Sequence, residues 1–390
     1  MLIDAAMTHR VAIVGAGPSG FYAADGLLRT RPDLRIDLID RLPTPFGLVR
    51  AGVAPDHQGT KAIVRQFEKL LAEPDVRFAG NVEIGRDLSW DDLSEGYDAV
   101  IVATGMTIDR KLGVPGEELP FVWGSWKFVA WLNGHPDFRI GPDLSQVKKV
   151  AVIGNGNVAL DVARLLAKSA DEMAKSDIVP EAGAAIAAAP ITDIHVIGRR
   201  GPENASFTNP ELAEMGRLAR AVTVTDPAGL EVQPPAGDPT PERLRKAKNL
   251  EILRGFAGNK PGSKPITLHF VFNRPLPAIK PGEFDLVITC IGYSGVPHPS
   301  GEGVFAVGWA KRGPSGTIPT NRADSHAVAQ QVIAWLRERD PKSGPDPMPI
   351  AVDLAGWHRI DKAEVAAGAK AGRPRVKLTD WKALLDTAEG

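Results

Sequence analysis

The chain has 390 residues, 43% hydrophobic and 24% charged, with 46 Lys and Arg against 47 Asp and Glu. That length supports two or three domains with real cores, and a formal charge of −1 excludes a global pull toward nucleic acid or a membrane surface. Cys290 is the only cysteine, which excludes an intrachain disulfide, a CxxC redox pair and an iron–sulfur cluster built on cysteines of this chain.

Met1 to Arg10 carries no apolar signal core, and no run is long enough to span a bilayer, so a cytoplasmic protein is expected. Val11, Ala12, Ile13 and Val14 form an apolar run that predicts a central parallel strand. Gly15-Ala16-Gly17-Pro18-Ser19-Gly20 supplies a turn, residues 21–29 continue with helical periodicity, and residues 36–40 predict a second strand ending at Asp40. Residues 42–57 are too rich in Pro and Gly for a regular element. An amphipathic helix is predicted over 61–71, short strands over 76–78 and 82–84, and a strand over 99–103 that closes on Thr104-Gly105.

A second strand–turn–helix unit opens at Val150 with Gly154-Asn155-Gly156-Asn157-Val158-Ala159, its helix running to about Lys168. An alanine-rich insertion over 180–189 precedes the next strand, which ends at Gly198-Arg199-Arg200. Residues 234–241 read as an exposed loop. Residues 286–290 followed by Ile291-Gly292 echo 100–103 followed by Thr104-Gly105. The pattern recurs at 304–309 and is followed by Gly313-Pro314-Ser315-Gly316-Thr317-Ile318, a helix over 323–339 and a polar, partly helical tail.

Each glycine fingerprint follows an apolar strand and precedes a helix, the context in which such a motif binds a dinucleotide. Gly15 permits the tight turn, Gly17 lets the backbone approach a pyrophosphate, and Gly20 allows close helix–strand contact; Gly154, Gly156 and Ala159 repeat the pattern. The helix N-terminus offers free N–H groups and a positive dipole end to phosphates. The strand ends differ in charge. Asp40 suits ribose hydroxyls, whereas Arg199 and Arg200 suit a 2′-phosphate. One dinucleotide of FAD or NAD type and one NADP are therefore expected, a combination that points to electron transfer. His57 fits a solvated loop residue as well as an active-site one, and Asp161 in the second fingerprint helix fits dipole complementation as well as catalysis. Cys290 reads as a buried, inert strand residue.

Four segments carry a family resemblance. They are Pro45-Phe46-Gly47-Leu48-Val49-Arg50-Ala51-Gly52-Val53-Ala54-Pro55-Asp56-His57, residues 154–164, Gly198-Arg199-Arg200-Gly201-Pro202, and Gly308-Trp309-Ala310-Lys311-Arg312-Gly313-Pro314. Together they resemble the adrenodoxin reductase-type ferredoxin–NADP reductases over nearly the whole chain, weakening between about Asp226 and Pro281. The resemblance implies an α/β fold of two Rossmann-like dinucleotide-binding domains, the NADP domain inserted into the FAD domain. Boundaries of 1–106, 107–303 and 304–390 are expected, with the chain crossing after Gly105 and before Val304. It implies FAD contacts at Ser19, Asp40, Leu48, Arg50, Val82, Trp309, Gly316, Thr317 and Ile318. NADP contacts are implied at Asn155, Gly156, Asn157, Val158, Arg199, Arg200 and Glu211, and active-site roles at His57 and Asp161. Asp40 stands where the family often has Glu. Ala213 stands where an Arg is common on the partner-docking face, with Arg217, Arg220, Arg243, Arg245 and Lys246 as candidate replacements.

The expected activity is transfer of a hydride from NADPH to FAD and then of single electrons to a ferredoxin-like iron–sulfur protein, or the reverse. The alternatives are a flavin-dependent NADPH monooxygenase and a non-catalytic redox-sensing flavoprotein.

Overall fold

A computed structural model describes residues 8–316, 318–349 and 351–390. The chain forms two compact units. The first takes the residues up to Val53, His57–Ile108 and Tyr293–Gly390; the second takes Ala54–Asp56 and Asp109–Gly292. The second crossing thus comes earlier than the expected boundary at 303. Residues 293–295 are held in the first unit: the Tyr293 ring stacks on Trp309 at 6.0 Å, Ser294 Oγ donates to Ile108 O at 3.5 Å, and Gly295 lies against Gly105 and Met106.

In the first unit the strands Val304–Ala306, Ala99–Val102, Arg10–Val14, Arg35–Asp40 and Val76–Gly80 lie side by side in that order, every pair parallel. Both faces are covered, which is why the central strands read as continuous apolar runs rather than alternating ones. The helices Pro18–Leu28 and Ile318–Arg337 pack on each other. A core of Phe21, Phe46, Phe67 and Trp357 gathers on the same side, with Phe21 stacked on Phe67 at 4.6 Å and Phe46 edge-on to Trp357 at 5.5 Å. The tail is therefore no loose appendage. Its helices Leu354–Lys370 and Trp381–Glu389 bury Trp357, Ile360 and Leu384.

The second unit carries six parallel strands in the order Val122–Gly124, Leu286–Thr289, Lys149–Ile153, Asp193–Ile197, Ile266–Val271 and Ala221–Thr225. The fingerprint helix Asn157–Ala167 and the helices Ser125–Leu132 and Pro180–Ala188 belong to this unit. No helix among the described residues is long and apolar enough to cross a membrane.

Two predicted elements differ and one helix was not predicted. The helix over 61–71 is broken into Gln58–Lys61 and Val64–Leu71, joined by short-range bonds such as Gln66 N to Ile63 O. Residues 82–84 form no strand, because Asn81 at φ +61° turns the chain back and Val82 N donates to Asp40 O at 3.0 Å. The helix Thr240–Ala257 occupies a stretch left unassigned above; its apolar residues sit among so many Lys and Arg that the helical period is obscured.

Candidate nucleotide-binding sites

The two fingerprints are built by the same backbone bonds. Gly15 N donates to Ile39 O at 2.7 Å and Ala103 N to Val14 O at 2.8 Å; Gly154 N donates to Ile197 O at 2.9 Å and Cys290 N to Ile153 O at 2.7 Å. Gly15 at φ +113° and Gly154 at φ +146° then turn the chain. A Cβ on Gly15 would lie 2.4 Å from Ala103 O, and one on Gly154 2.2 Å from Cys290 O. The echo between 100–103 and 286–290 is this packing: each segment is the neighbouring strand whose end abuts the first glycine.

Both fingerprint helices begin without a side-chain cap, their N-cap residues being Gly17 and Gly156. No side-chain acceptor serves the leading N–H groups of either helix, which leaves them to an anion; Pro18 brings none, and Ala159 N donates back to Gly156 O at 3.0 Å. Both turns present the backbone donors that a pyrophosphate requires.

In the first unit Asp40 ends its strand as expected. Its Oδ2 accepts from Ala16 N at 2.9 Å and its Oδ1 from Leu42 N at 2.9 Å. Burial raises its pKa to about 6 against the opposing pull of those two backbone N–H groups. A carboxylate has room for about four acceptor bonds, so two remain for ribose hydroxyls. Leu48 opens the one-turn helix Leu48–Ala51, Val82 lies against Asp40, and Gly308 packs against Ser19. The Trp309 indole N–H donates to Ser315 O at 3.1 Å, beside Gly316 at φ +81° and Ile318, the first residue of its helix. Thr317 lies outside the described residues. Arg50, expected at the FAD, has a protein partner. Its guanidinium is paired bidentately with Glu364, at 2.9 and 2.5 Å.

In the second unit Arg199 and Arg200 follow their strand as exposed residues. Asn155 Oδ1 is buried without a hydrogen-bond partner, an acceptor that a bound nucleotide's hydroxyl or amide would satisfy. Asn157 Oδ1 accepts from Thr208 N at 2.9 Å and so holds the loop that leads into Glu211. Asp161 and Glu211 are brought together by Arg164, a fully buried side chain of the same helix. Arg164 Nη1 lies 2.7 Å from Asp161 Oδ1 and 3.5 Å from Glu211 Oε2. Its other nitrogens grip Asp56 at 2.8 and 2.9 Å, and Lys168 Nζ joins Asp56 at 2.7 Å and Glu214 at 2.8 Å. Burial pushes the Asp56 carboxyl up, but Arg164 and Lys168 outweigh it and hold Asp56 well below the carboxylate range. Asp161 goes the other way. Burial dominates, Arg164 offsets part of it, and Asp56 and Glu214 add to it, so its pKa rises to about 6.

Residues 9–197 match the model of the pyridine nucleotide-disulphide oxidoreductase family. NADPH-ferredoxin reductase FprA of Mycobacterium tuberculosis is 36% identical, over 97% of this chain and 98% of its own. NADPH:adrenodoxin oxidoreductase, mitochondrial, of Arabidopsis thaliana is 33% identical over 97% and 95%. This chain belongs to that reductase family. The solved structure of Mycobacterium tuberculosis FprA in complex with NADPH superposes with a TM-score of 0.89 at 36% identity, covering 98% of this chain and 100% of that one.

Within the reductase fold, His57 belongs to the first unit, at the N-cap of Gln58–Lys61. The ionic partners Asp56, Arg164, Lys168 and Glu214 were missed by sequence reasoning. Arg164 lies three residues after Asp161, a helical spacing that signals a pair, but nothing local shows that Asp56 reaches it. Of the candidate docking cations, Arg245 donates to Phe207 O and Lys246 is buried against Asp238 at 2.7 Å. Arg217 and Arg243 are exposed.

Proposed function

We propose that the chain is an FAD-containing NADPH–ferredoxin reductase that moves electrons between NADPH and a small iron–sulfur protein. One observation carries the reading: two uncapped fingerprint helices whose following strands end in an acid, Asp40, and in two exposed arginines, Arg199 and Arg200. Bound FAD would supply the exchange between the two-electron chemistry of NADPH and the single electrons of an iron–sulfur protein.

The protein's part is to hold and orient. Gly15, Gly17 and Gly20 with the N-terminus of Pro18–Leu28 receive the FAD pyrophosphate, and Asp40 the ribose. Ser19, Leu48, Val82, Trp309, Gly316 and Ile318 shape the flavin side. Gly154, Asn155, Gly156, Asn157 and Val158 receive NADP, Arg199 and Arg200 its 2′-phosphate, and Glu211 lies on the same unit. Asp161, with a pKa near 6, retains a proton into the range where a general acid is useful, and His57 is the second polar group assigned to the redox centre. Arg50 acts indirectly, by fixing the loop that carries Leu48. A cytoplasmic location accords with a single buried cysteine.

The test is purification followed by NADPH- and NADH-driven reduction of a panel of ferredoxins, with ferricyanide as control. The expected result is a yellow protein that prefers NADPH. A colourless protein that cannot be reconstituted with FAD overturns the reading, and equal use of NADH overturns the role of Arg199 and Arg200.

A further inference from the structure

The sheet of the second unit carries a histidine pair that the electron-transfer reading leaves unused. His195 and His269 are direct partners in the parallel register of neighbouring strands. Strand alternation therefore places both rings on one face, where they stack at 4.4 Å with planes 5° apart. Asp193 lies two residues before His195 and shares that face by the same alternation. Its Oδ1 is 3.1 Å from His269 Nε2. One ligand atom from each of the three lies within 4.8 Å of the other two.

One feature separates this cluster from an ordinary hydrogen-bonded pair. His195 Nε2 is shielded from solvent yet has no hydrogen-bond partner, although buried ring nitrogens are normally satisfied. Phe284 closes one side, edge-on to His195 at 5.5 Å. Asp193 begins the strand whose far end leads to Arg199, so the cluster is displaced along the sheet from the proposed 2′-phosphate site.

We propose that Asp193, His195 and His269 form a binding site for one zinc-type divalent transition-metal ion. Two imidazoles and one carboxylate are ligands of that borderline class and not of Mg²⁺ or Ca²⁺, which take oxygen donors. A water completes four-coordination. Coordination satisfies the orphaned His195 nitrogen; His269 binds through Nε2 once the proton it shares with Asp193 has moved to Nδ1, and two metal bonds then replace the Asp193–His269 hydrogen bond. Lys149 and Arg274 add positive charge in the neighbourhood, which opposes a cation and sets the site apart from a permanently loaded structural zinc. Bound metal would join the strands Asp193–Ile197 and Ile266–Val271 and stabilise the second unit by mass action.

The experiment uses untagged, chelator-treated full-length protein titrated with ZnCl₂ by calorimetry, with bound metal measured after dialysis. One zinc per chain is expected, unaffected by excess Mg²⁺. His195→Ala and His269→Gln should each weaken binding by about tenfold or more, the scale seen when metal-site groups are removed. Circular dichroism and NADPH-driven ferricyanide reduction should match the parent, showing that the variants fold. No zinc uptake by the parent overturns the proposal. So does uptake that survives the His195→Ala/His269→Gln double variant, since the metal then sits elsewhere.

Discussion

Glu364 offers the sharpest test of how the fold holds its signature loop. Its side chain is 0% exposed, and its two oxygens accept from Arg50 at 2.9 and 2.5 Å, from Arg375 at 3.1 Å and from Leu378 N at 2.9 Å. Lys377 Nζ reaches Arg50 O at 3.2 Å, so the C-terminal segment grips the loop at both side chain and backbone. Glu364→Gln preserves shape but leaves two guanidiniums short of a counter-charge. Breaking one partner of a buried pair costs about 3–5 kcal/mol. Arg375 retains Asp361 at 2.8 Å, which places the expected loss at the lower end, about 3 kcal/mol, or roughly 6–12 °C in Tm for a unit of this size. Burial pushes the Glu364 carboxyl up, but Arg50 and Arg375 outweigh it and hold it below its ordinary range. Its contribution is therefore present above the unfolded-state value and is lost as the pH falls through the folded-state one. The deficit of the Gln variant should shrink in acid. Thermal unfolding across pH, with FAD dissociation followed by fluorescence, reads both effects. A loss below about 1 kcal/mol would refute the energetic argument; a large loss with unchanged FAD affinity would refute the positioning role.

The other predictions concern the two cradles and the ionic hub. Gly15→Ala forces a Cβ to within 2.4 Å of Ala103 O, and Gly154→Ala to within 2.2 Å of Cys290 O. The first should yield protein depleted of flavin; the second should stay yellow and lose NADPH binding, as absorbance and coenzyme titration will show. Arg199→Ala or Arg200→Ala should weaken NADPH by about 1.5–3 kcal/mol, the worth of a charge-assisted hydrogen bond, with NADH unchanged in steady-state kinetics. Asp161→Asn removes a carboxyl whose pKa is raised from 3.8 to about 6. Because the raised pKa costs stability as the pH rises through 6, this variant should gain about 2–3 kcal/mol relative to the parent between pH 4 and 7, measured by urea unfolding. A flat difference would reject the assigned burial cause.

Local signals carried the fold because they report local geometry. An apolar run, a glycine turn and a helical period identify a strand–turn–helix unit without any distant contact, and both fingerprints are such units. The strand-end positions of Asp40 and Arg199 were legible for the same reason: each follows a strand whose partner is a few tens of residues away. Arg50 was not, since its partner Glu364 lies 314 positions along the chain and nothing near either residue announces the other. The Asp56–Arg164 pair, separated by 108 positions, fails the same way. Residues 82–84 were misread because three apolar-rich positions suit a strand equally well when they pack under a strand end, and Asn81 at φ +61° decides between the two.

The two cradles share a backbone plan but not their surroundings, and the difference separates a resident group from an exchangeable one. In the first unit Phe46 N donates to Ala16 O at 2.7 Å, Gly47 approaches Gly17, and Gly308 abuts Ser19. Segments from three parts of the chain thus close over one turn, and the Glu364 cluster fixes the Phe46–Arg50 loop from behind. Release of a ligand there requires several packed segments to part together. In the second unit the corresponding turn is approached by Ser206, whose N–H and Oγ both donate to Asn155 O, while Arg199 and Arg200 stand exposed. The exposed arginines offer charge at the rim of this turn rather than enclosure. An enclosed turn suits a resident group and an open one suits a coenzyme that must exchange, which is the division that repeated turnover with a diffusible electron donor requires.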